Sequence, residues 1–279
     1  MEQCHKNKRV ELHFSTPVTD VQKHGDSLLM ETETATDSIS ARYITDSRLD
    51  TPSQHKDTLL QCFVGVWLES STSLFDPNCV GLMERMTVTD SGAFRFVYIL
   101  PVSERRALYE VTYFSQSLVS LDTIKSEVKA NVAENFDLNK LHFCSWEQGV
   151  LPMSTAKPRY HDELGNFYTR NGIAGGHIRA SSGYTFLPTQ RWANAAALHI
   201  EAGLPFSSTV PISSRYTLMD TLFLRVLRNN MSLAPELFKS LIQNTDPNCF
   251  TQFMSESASL FDLTHIVFAM PKRAFIRAL

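Results

Sequence analysis

Apolar positions change their period partway along the chain. Up to Phe114 they form short runs or alternate with polar residues, as strands do, and from Ser120 they recur at helical spacing. Residues 9–14 (RVELHF), 27–31 and 39–45 alternate and predict three short strands, a meander closed by Asp46-Ser47-Arg48. The next stretch, LDTPSQHKD, is polar and rich in turn residues, hence a loop. Residues 60–68 (LQCFVGVWL) are aromatic and β-branched, which predicts a buried strand. Asp76-Pro77-Asn78 is a turn. Residues 80–86, 93–100 and 107–114 predict further strands, the first two separated by TDSGA. Together they imply one sizeable mixed or antiparallel sheet.

Residues 120–136 place Leu121, Ile124, Val128 and Val132 on one side of a helix. QGVLPM, 148–153, reads as a short strand. NFYTR is another, and it runs into GIAGGHIRASSGYTF, 172–186, which carries four glycines and two serines. Helix-compatible LPTQRWANAAAL follows. In residues 216–228, Leu218, Met219, Leu222, Val226 and Leu227 form a stripe, with Arg225 and Arg228 in the last turn. Ser232, Pro235 and Leu237 open another helix, which Asp246-Pro247 ends. Residues 260–270 form a third, before the basic tail PKRAFIRAL. DPNC occurs at both Asp76 and Asp246, and reads as a chance echo.

A chain of 279 residues can bury a full core as one large or two smaller domains. Its 43% hydrophobic and 20% charged residues are globular values. The net charge of −3 offers no basic excess for nucleic acid. No apolar run approaches the ~20 residues of a bilayer span, and the polar start MEQCHKNKRVELHF has no signal-peptide core. Five scattered cysteines (Cys4, Cys62, Cys79, Cys144, Cys249) form no CxxC pair, and nine histidines show no ligand spacing. Reduced thiols in a cytoplasmic protein and no metal are the expectation.

Two features point to chemistry. A strand, a glycine-rich turn and a helix start present backbone N–H groups to an anionic or electron-rich ligand. Here the turn is neither a P-loop nor GxGxxG, and a tight connection without ligand is the alternative. In ALYEVTYFS, Leu108, Glu110 and Thr112 share one strand face, and Tyr109, Val111 and Tyr113 the other. A carboxylate among apolar neighbours has a raised pKa and can donate a proton near neutrality. A solvated edge-strand glutamate is the plain alternative. Phe94, Phe96, Tyr98, Tyr109, Tyr113, Phe114 and Trp146 could line a tunnel or pack a core.

FDPNCVGLMERM, FRFVYILPVS, ALYEVTYFS, EQGVLPM and RASSGY, in this order, resemble the lycopene cyclase family from about Ala41 to the C-terminus. The resemblance implies a two-domain α/β flavoprotein of the hydroxylase–cyclase type, a mixed sheet plus C-terminal helices. The family's GxGxxG is not found, which implies an N-terminally truncated form. The implied organisation is 1–60, a remnant of the FAD-binding domain; 61–150, a substrate-binding sheet; 151–200, a return to the FAD domain; and 201–279, C-terminal helices.

The resemblance implies Glu110 as acid–base residue and Glu84 of GLMERM as a second catalytic carboxylate. The family usually has aspartate at Glu84, and pairing with Arg85 or Arg95 is the alternative role. For the cofactor it implies Asp46 and Arg48 (or a plain loop salt bridge), Pro152, Gly172, Gly175, Gly176, Ser181, Ser182, Gly183 and Tyr184. The implied cofactor is reduced FAD, with NADPH as indirect reductant. The implied substrate is lycopene or a related carotenoid, met by a cytoplasmic protein peripheral at the membrane surface. An inactive fragment, half of a split protein with a separate flavin-binding chain, and a prenyl reductase or hydroxylase are the competing readings.

Overall fold

Strand alternation sets which side chains meet across neighbouring strands, and it governs most of this structure. A computed structural model describes residues 6–33, 38–49, 58–156, 162–206 and 212–277. The strands are β1 (Val18–His24), β2 (Ser27–Thr32), β3 (Ile39–Ala41), β4 (Ile44–Asp46), β5 (Leu59–Ser70), β6 (Gly81–Val88), β7 (Phe94–Ser103), β8 (Arg106–Ser115), β9 (Leu141–Met153) and β10 (Tyr168–Arg170). The helices are α1 (Leu121–Asn135), α2 (Phe186–Glu201), α3 (Ser214–Asn229), α4 (Ala234–Gln243), α5 (Pro247–Met254), α6 (Leu260–Ala269) and α7 (Lys272–Ile276).

The chain divides into two units. One takes in Met1–Leu49, Lys157–His177 and Pro188–Pro211; the other takes in Asp50–Ala156, Ile178–Leu187 and Ile212–Leu279. In the first, β1, β2 and β3 form an antiparallel meander, and β4 pairs in parallel with β10. Leu28, Ile44, Leu164 and Tyr168 make its core.

The second unit holds an antiparallel five-stranded sheet in the order β6-β7-β8-β5-β9. Helix α1 covers one face. Its Ser120 cap accepts the Thr123 N–H, and Ile124, Val128 and Val132, spaced four apart, are fully buried against Cys62, Val64, Val66, Tyr109 and Val111. Each such aliphatic contributes about 1.5–3 kcal/mol by burial. On the opposite face Leu59, Phe94, Phe96, Phe114 and Met153 pack with Phe223, Leu224, Leu227 and Phe238 of α3 and α4. The Phe94 and Phe238 rings stack at 5.4 Å.

Several expectations are corrected. Residues 9–14 form no strand: Val10, Leu12 and Phe14 are exposed, so alternation alone is insufficient. The first strand is Val18–His24. The run 39–45 is two strands in different sheets, broken where Tyr43 turns its ring edge-on to Phe167 and Phe206. β9 starts at Leu141, seven residues before the run 148–153. The two DPNC segments differ in role. Asp76 closes a turn by accepting from the Asn78 N–H, whereas Asp246 caps α5 by accepting from Asn248 and Cys249. The polar LDTPSQHKD stretch lies, from Asp50 on, outside the described residues.

Candidate active site

The centre of the five-stranded sheet carries one unusual cross-strand row. Tyr98 on β7 is opposite Glu110 on β8, Glu110 is opposite Gly65 on β5, and Gly65 is opposite Glu147 on β9. Glu110 therefore lies on an interior strand, not on an edge. Leu108, Glu110 and Thr112 point away from α1, as the alternation predicts, while Tyr109 and Val111 point towards it.

Glu110 is 9% exposed. The buried Thr112 hydroxyl donates to its Oε1 at 2.7 Å. Burial pushes the Glu110 pKa up to about 7; the Thr112 hydrogen bond opposes this and the Glu147 charge adds to it. Burial, with the Glu110 charge behind it, also raises the Tyr98 phenol. A carboxyl group that stays partly protonated at neutral pH, on a face with aromatic neighbours, can deliver a proton to an electron-rich carbon and take one back.

Glu84 is placed elsewhere. It is exposed on the edge strand β6, opposite Val97, whose partner Val111 lies on the α1-covered face. The structure does not bring it to Glu110. Of the aromatic residues, Tyr98 joins the Glu110 row. Phe94, Phe96 and Phe114 belong to the core, and Trp146 lies under Lys125 of α1 at 4.9 Å.

The residues expected to touch a cofactor fall in both units. Asp46 is buried in the first. Arg48 grips it through Nε and Nη2, at 3.1 and 2.8 Å, and the Tyr168 hydroxyl donates to it at 2.8 Å. Burial raises the Asp46 pKa, but these donors outweigh it and bring it down to about 2. Arg48 also donates to the Val18 carbonyl, so the motif fastens β4 to β10 and β1.

Gly172 and Gly176 have φ of +56° and +76°, and a Cβ on Gly175 would lie 2.4 Å from the Arg170 carbonyl oxygen. The turn needs these glycines whatever else it does. His177, which follows, is 3% exposed and its Nδ1 has no hydrogen-bond partner. Burial brings its pKa down to about 4.

In the second unit, the Ser181 hydroxyl donates to Asp220 at 2.7 Å, beside the buried Arg179–Asp220 ion pair. Ser182 and Gly183 N–H groups donate to the Arg179 carbonyl, and the Tyr184 carbonyl accepts from the Arg179 N–H. Gly183 has φ +73°, and a Cβ there would lie 2.5 Å from Gln61 Oε1. That oxygen is buried and without a donor. Pro152 is partly buried opposite Leu60. A bare Cα facing a buried, unsatisfied acceptor fits a ligand edge that carries an N–H.

Gln61, Gly65, Glu147 and His177 were not singled out in the sequence. One signal was available: a glycine inside a β-branched strand marks a close approach. Among the described residues no group of acidic, histidine or cysteine side chains could hold a metal, and no helix is long and apolar enough to cross a membrane.

Among solved structures, the chain is similar to a geranylgeranyl bacteriochlorophyll reductase-like protein from Thermoplasma acidophilum. The TM-score is 0.51 at 12% identity, covering 94% of this chain and 68% of that one. FqzB (TM-score 0.44, 12% identity, 99% of this chain and 68% of that one) and halogenase PltM in complex with phloroglucinol and FAD (0.42, 12%, 94% and 58%) are also similar. The first likeness shows the fold, which is α/β with C-terminal helices; its strands form antiparallel sheets and one parallel pair instead of a single mixed sheet. No curated protein matches the chain in sequence. A family model described as lycopene cyclase protein matches residues 1–279, and the chain belongs to that family.

Proposed function

We propose that the chain is a lycopene cyclase of the β type, closing the ψ ends of lycopene to ionone rings in carotenoid biosynthesis. Glu110 carries this reading: a buried carboxyl group on an interior strand, held by Thr112, with its pKa raised to about 7. Cyclisation requires a proton on the terminal double bond and the loss of a ring proton after closure, with no net oxidation. Glu110 is the acid in the first step. Once ionised, it is the base that takes the ring proton. Thr112 fixes the carboxyl orientation, and the Tyr98 ring on the neighbouring strand helps to exclude water and offers a π-face to positive charge.

FAD in its reduced form, with NADPH as indirect reductant, is the cofactor of this reading, and when bound it supplies an electron-rich neighbour for the carbocation. Gly183 and Gln61 would hold it, the glycine by close backbone approach and the amide by its free acceptor. Gly172, Gly175, Gly176, Ser182, Tyr184 and Pro152 are assigned the same role on the family resemblance. Ser181, already donating to Asp220, is the least suited of the set. Glu84 has an electrostatic part at most.

Expression in lycopene-accumulating cells tests the reading through the pigment profile. Conversion to a ring-bearing carotene is expected. Unchanged lycopene in cells that contain folded, flavin-loaded protein overturns it.

A lycopene cyclase draws its substrate from a bilayer, so peripheral membrane contact belongs to the same proposal. Leu260, Phe261, Val267, Phe268 and Ile276 on α6 and α7 are exposed, and Lys272 Nζ sits 4.4 Å over the Phe268 ring. The tail is only half available, because Met270 and Phe275 pack on the helical core; Leu279 lies outside the described residues. Apolar side chains beside Lys272 and Arg273 suit an anionic headgroup layer. Salt-sensitive flotation with anionic liposomes is expected, and a chain that stays with the soluble fraction refutes this part.

A further inference from the structure

Glu147 opens the EQGVLPM motif, to which the family resemblance gives no acid–base role, yet it is the other end of the Glu110 row. The two glutamates flank Gly65 from opposite sides, on β9 and β8. Gly65 is not needed for its backbone, since it is not among the positive-φ glycines. Its role is steric. A Cβ there would lie 3.1 Å from Glu147 Cγ, 3.1 Å from Leu108 Cδ1 and 3.4 Å from Glu110 Cβ. The missing side chain lets Glu147 lean over the strand towards Glu110, whose carboxyl group is held by Thr112.

The groups that face Glu110 are Tyr98 from β7, Thr112 on its own strand, Gly65 from β5 and Glu147 beyond it. Among the described residues no lysine, arginine or histidine pairs with either glutamate. Two carboxylates near one another without a cation do not both ionise readily.

We propose that Glu147, leaning over Gly65, is the positioning partner of Glu110 and acts on its carboxyl group through space. This rests on the cyclase reading above.

In a turnover the Glu110 O–H bond breaks and a C–H bond forms at the terminal alkene carbon. After closure a ring C–H bond breaks, its electron pair forms the ring double bond, and the proton returns to the Glu110 carboxylate. Nothing is oxidised or reduced. Glu147 acts through Glu110, by keeping it protonated at rest.

Carboxyl NMR of the folded full chain, labelled with ¹³C at the glutamate side-chain carboxyl, tests the pairing without substrate or flavin. The Glu110 signal is identified by its loss in Glu110→Gln. In Glu147→Gln its titration midpoint should fall by roughly half a unit to one unit, as expected for removing a nearby like charge. In Glu147→Asp it should move by much less.

An unmoved Glu110 midpoint in folded Glu147→Gln overturns the proposal. The alkaline limb of the pH–activity profile should move down with the NMR midpoint in Glu147→Gln. A coupled pair in a chain that leaves lycopene untouched defeats the cyclase reading alone. Conversion with an uncoupled pair defeats this inference alone.

Discussion

The two faces of the five-stranded sheet treat buried carboxyl groups in opposite ways, although the Tyr109 hydroxyl on the α1 side is also without a partner. On the α1-covered face, Arg95 is 8% exposed and meets Glu127 at 2.5 Å, and Glu127 also accepts from the Tyr113 hydroxyl at 2.5 Å. Asn131 closes the cluster by accepting from Arg95. Charge there is paired. On the other face Glu110 has one hydrogen-bond donor and a like charge for a neighbour, and Gln61 Oε1 has no partner at all. The same strands build both faces, so backbone constraint does not explain the contrast. A paired face rigidifies the fold, whereas an under-paired one holds groups whose protonation can change. Buried groups with displaced pKa values are where catalysis is expected.

The contrast breaks most visibly at Glu110. Replacing Glu110 with Gln keeps the shape and the contact with Thr112 but removes the proton. Cyclisation measured by product chromatography should fall by about 100-fold or more, the usual scale of a general acid. Circular dichroism should stay unchanged. Near-normal turnover would remove Glu110 from the acid–base role.

The next effect is on stability against pH. The folded pKa of about 7 lies above the ordinary value of 4.5, so the native state holds the Glu110 proton more tightly than the unfolded chain does. The stabilisation is complete below about 4.5 and is lost as pH rises through 7. The stability of Glu110→Gln relative to the parent chain should therefore improve from pH 5 to pH 8. The full linkage is on the order of 3 kcal/mol at most, and parallel urea curves at the two pH values measure it. Curves displaced equally at both pH values would mean that Glu110 titrates normally.

The α1-covered face gives the converse. Glu127→Ala leaves Arg95 unpaired under the helix. The cost should be about 2 kcal/mol, below the range for a fully buried pair because Glu127 is a quarter exposed. Activity per folded molecule should be retained. A fall in turnover without a fall in melting temperature would show that the two faces are not independent.

The parts legible in the sequence follow from this division. Alternation located Glu110 with Leu108 and Thr112, because interior strands buried on both sides leave little freedom of register. The helical spacing of Ile124, Val128 and Val132 located the stripe of α1. Glu147 was lost because β9 is an edge strand whose first half, with His142 and Cys144 exposed, shows no apolar run. Gln61 was hidden inside the most apolar segment of the chain, where a single polar residue does not alter the pattern. Gly183 was noticed, but its proximity to Gln61 joins residues more than a hundred positions apart and has no local signature.

The smallest expected effect is at Glu84, where the family resemblance and the geometry part company. Glu84 matches a family motif, yet its side chain is exposed on the edge strand β6 and sits in register with Val97 on the α1 side. Its neighbourhood is distorted: Met83 and Arg85 have φ of +53° and +54°, and the pairing slips on both sides of Glu84. A carboxylate in that position reaches Glu110 only through the field across the sheet, which solvent screens. Glu84→Gln should change stability by no more than about 0.5 kcal/mol, as exposed substitutions do, and should leave cyclisation within roughly threefold of the parent chain. Side-by-side carotenoid profiles of Glu84→Gln and Glu110→Gln decide the matter. A loss at Glu84 as deep as that at Glu110 would require β6 to rearrange during turnover, and would make its left-handed residues the place to look for that movement.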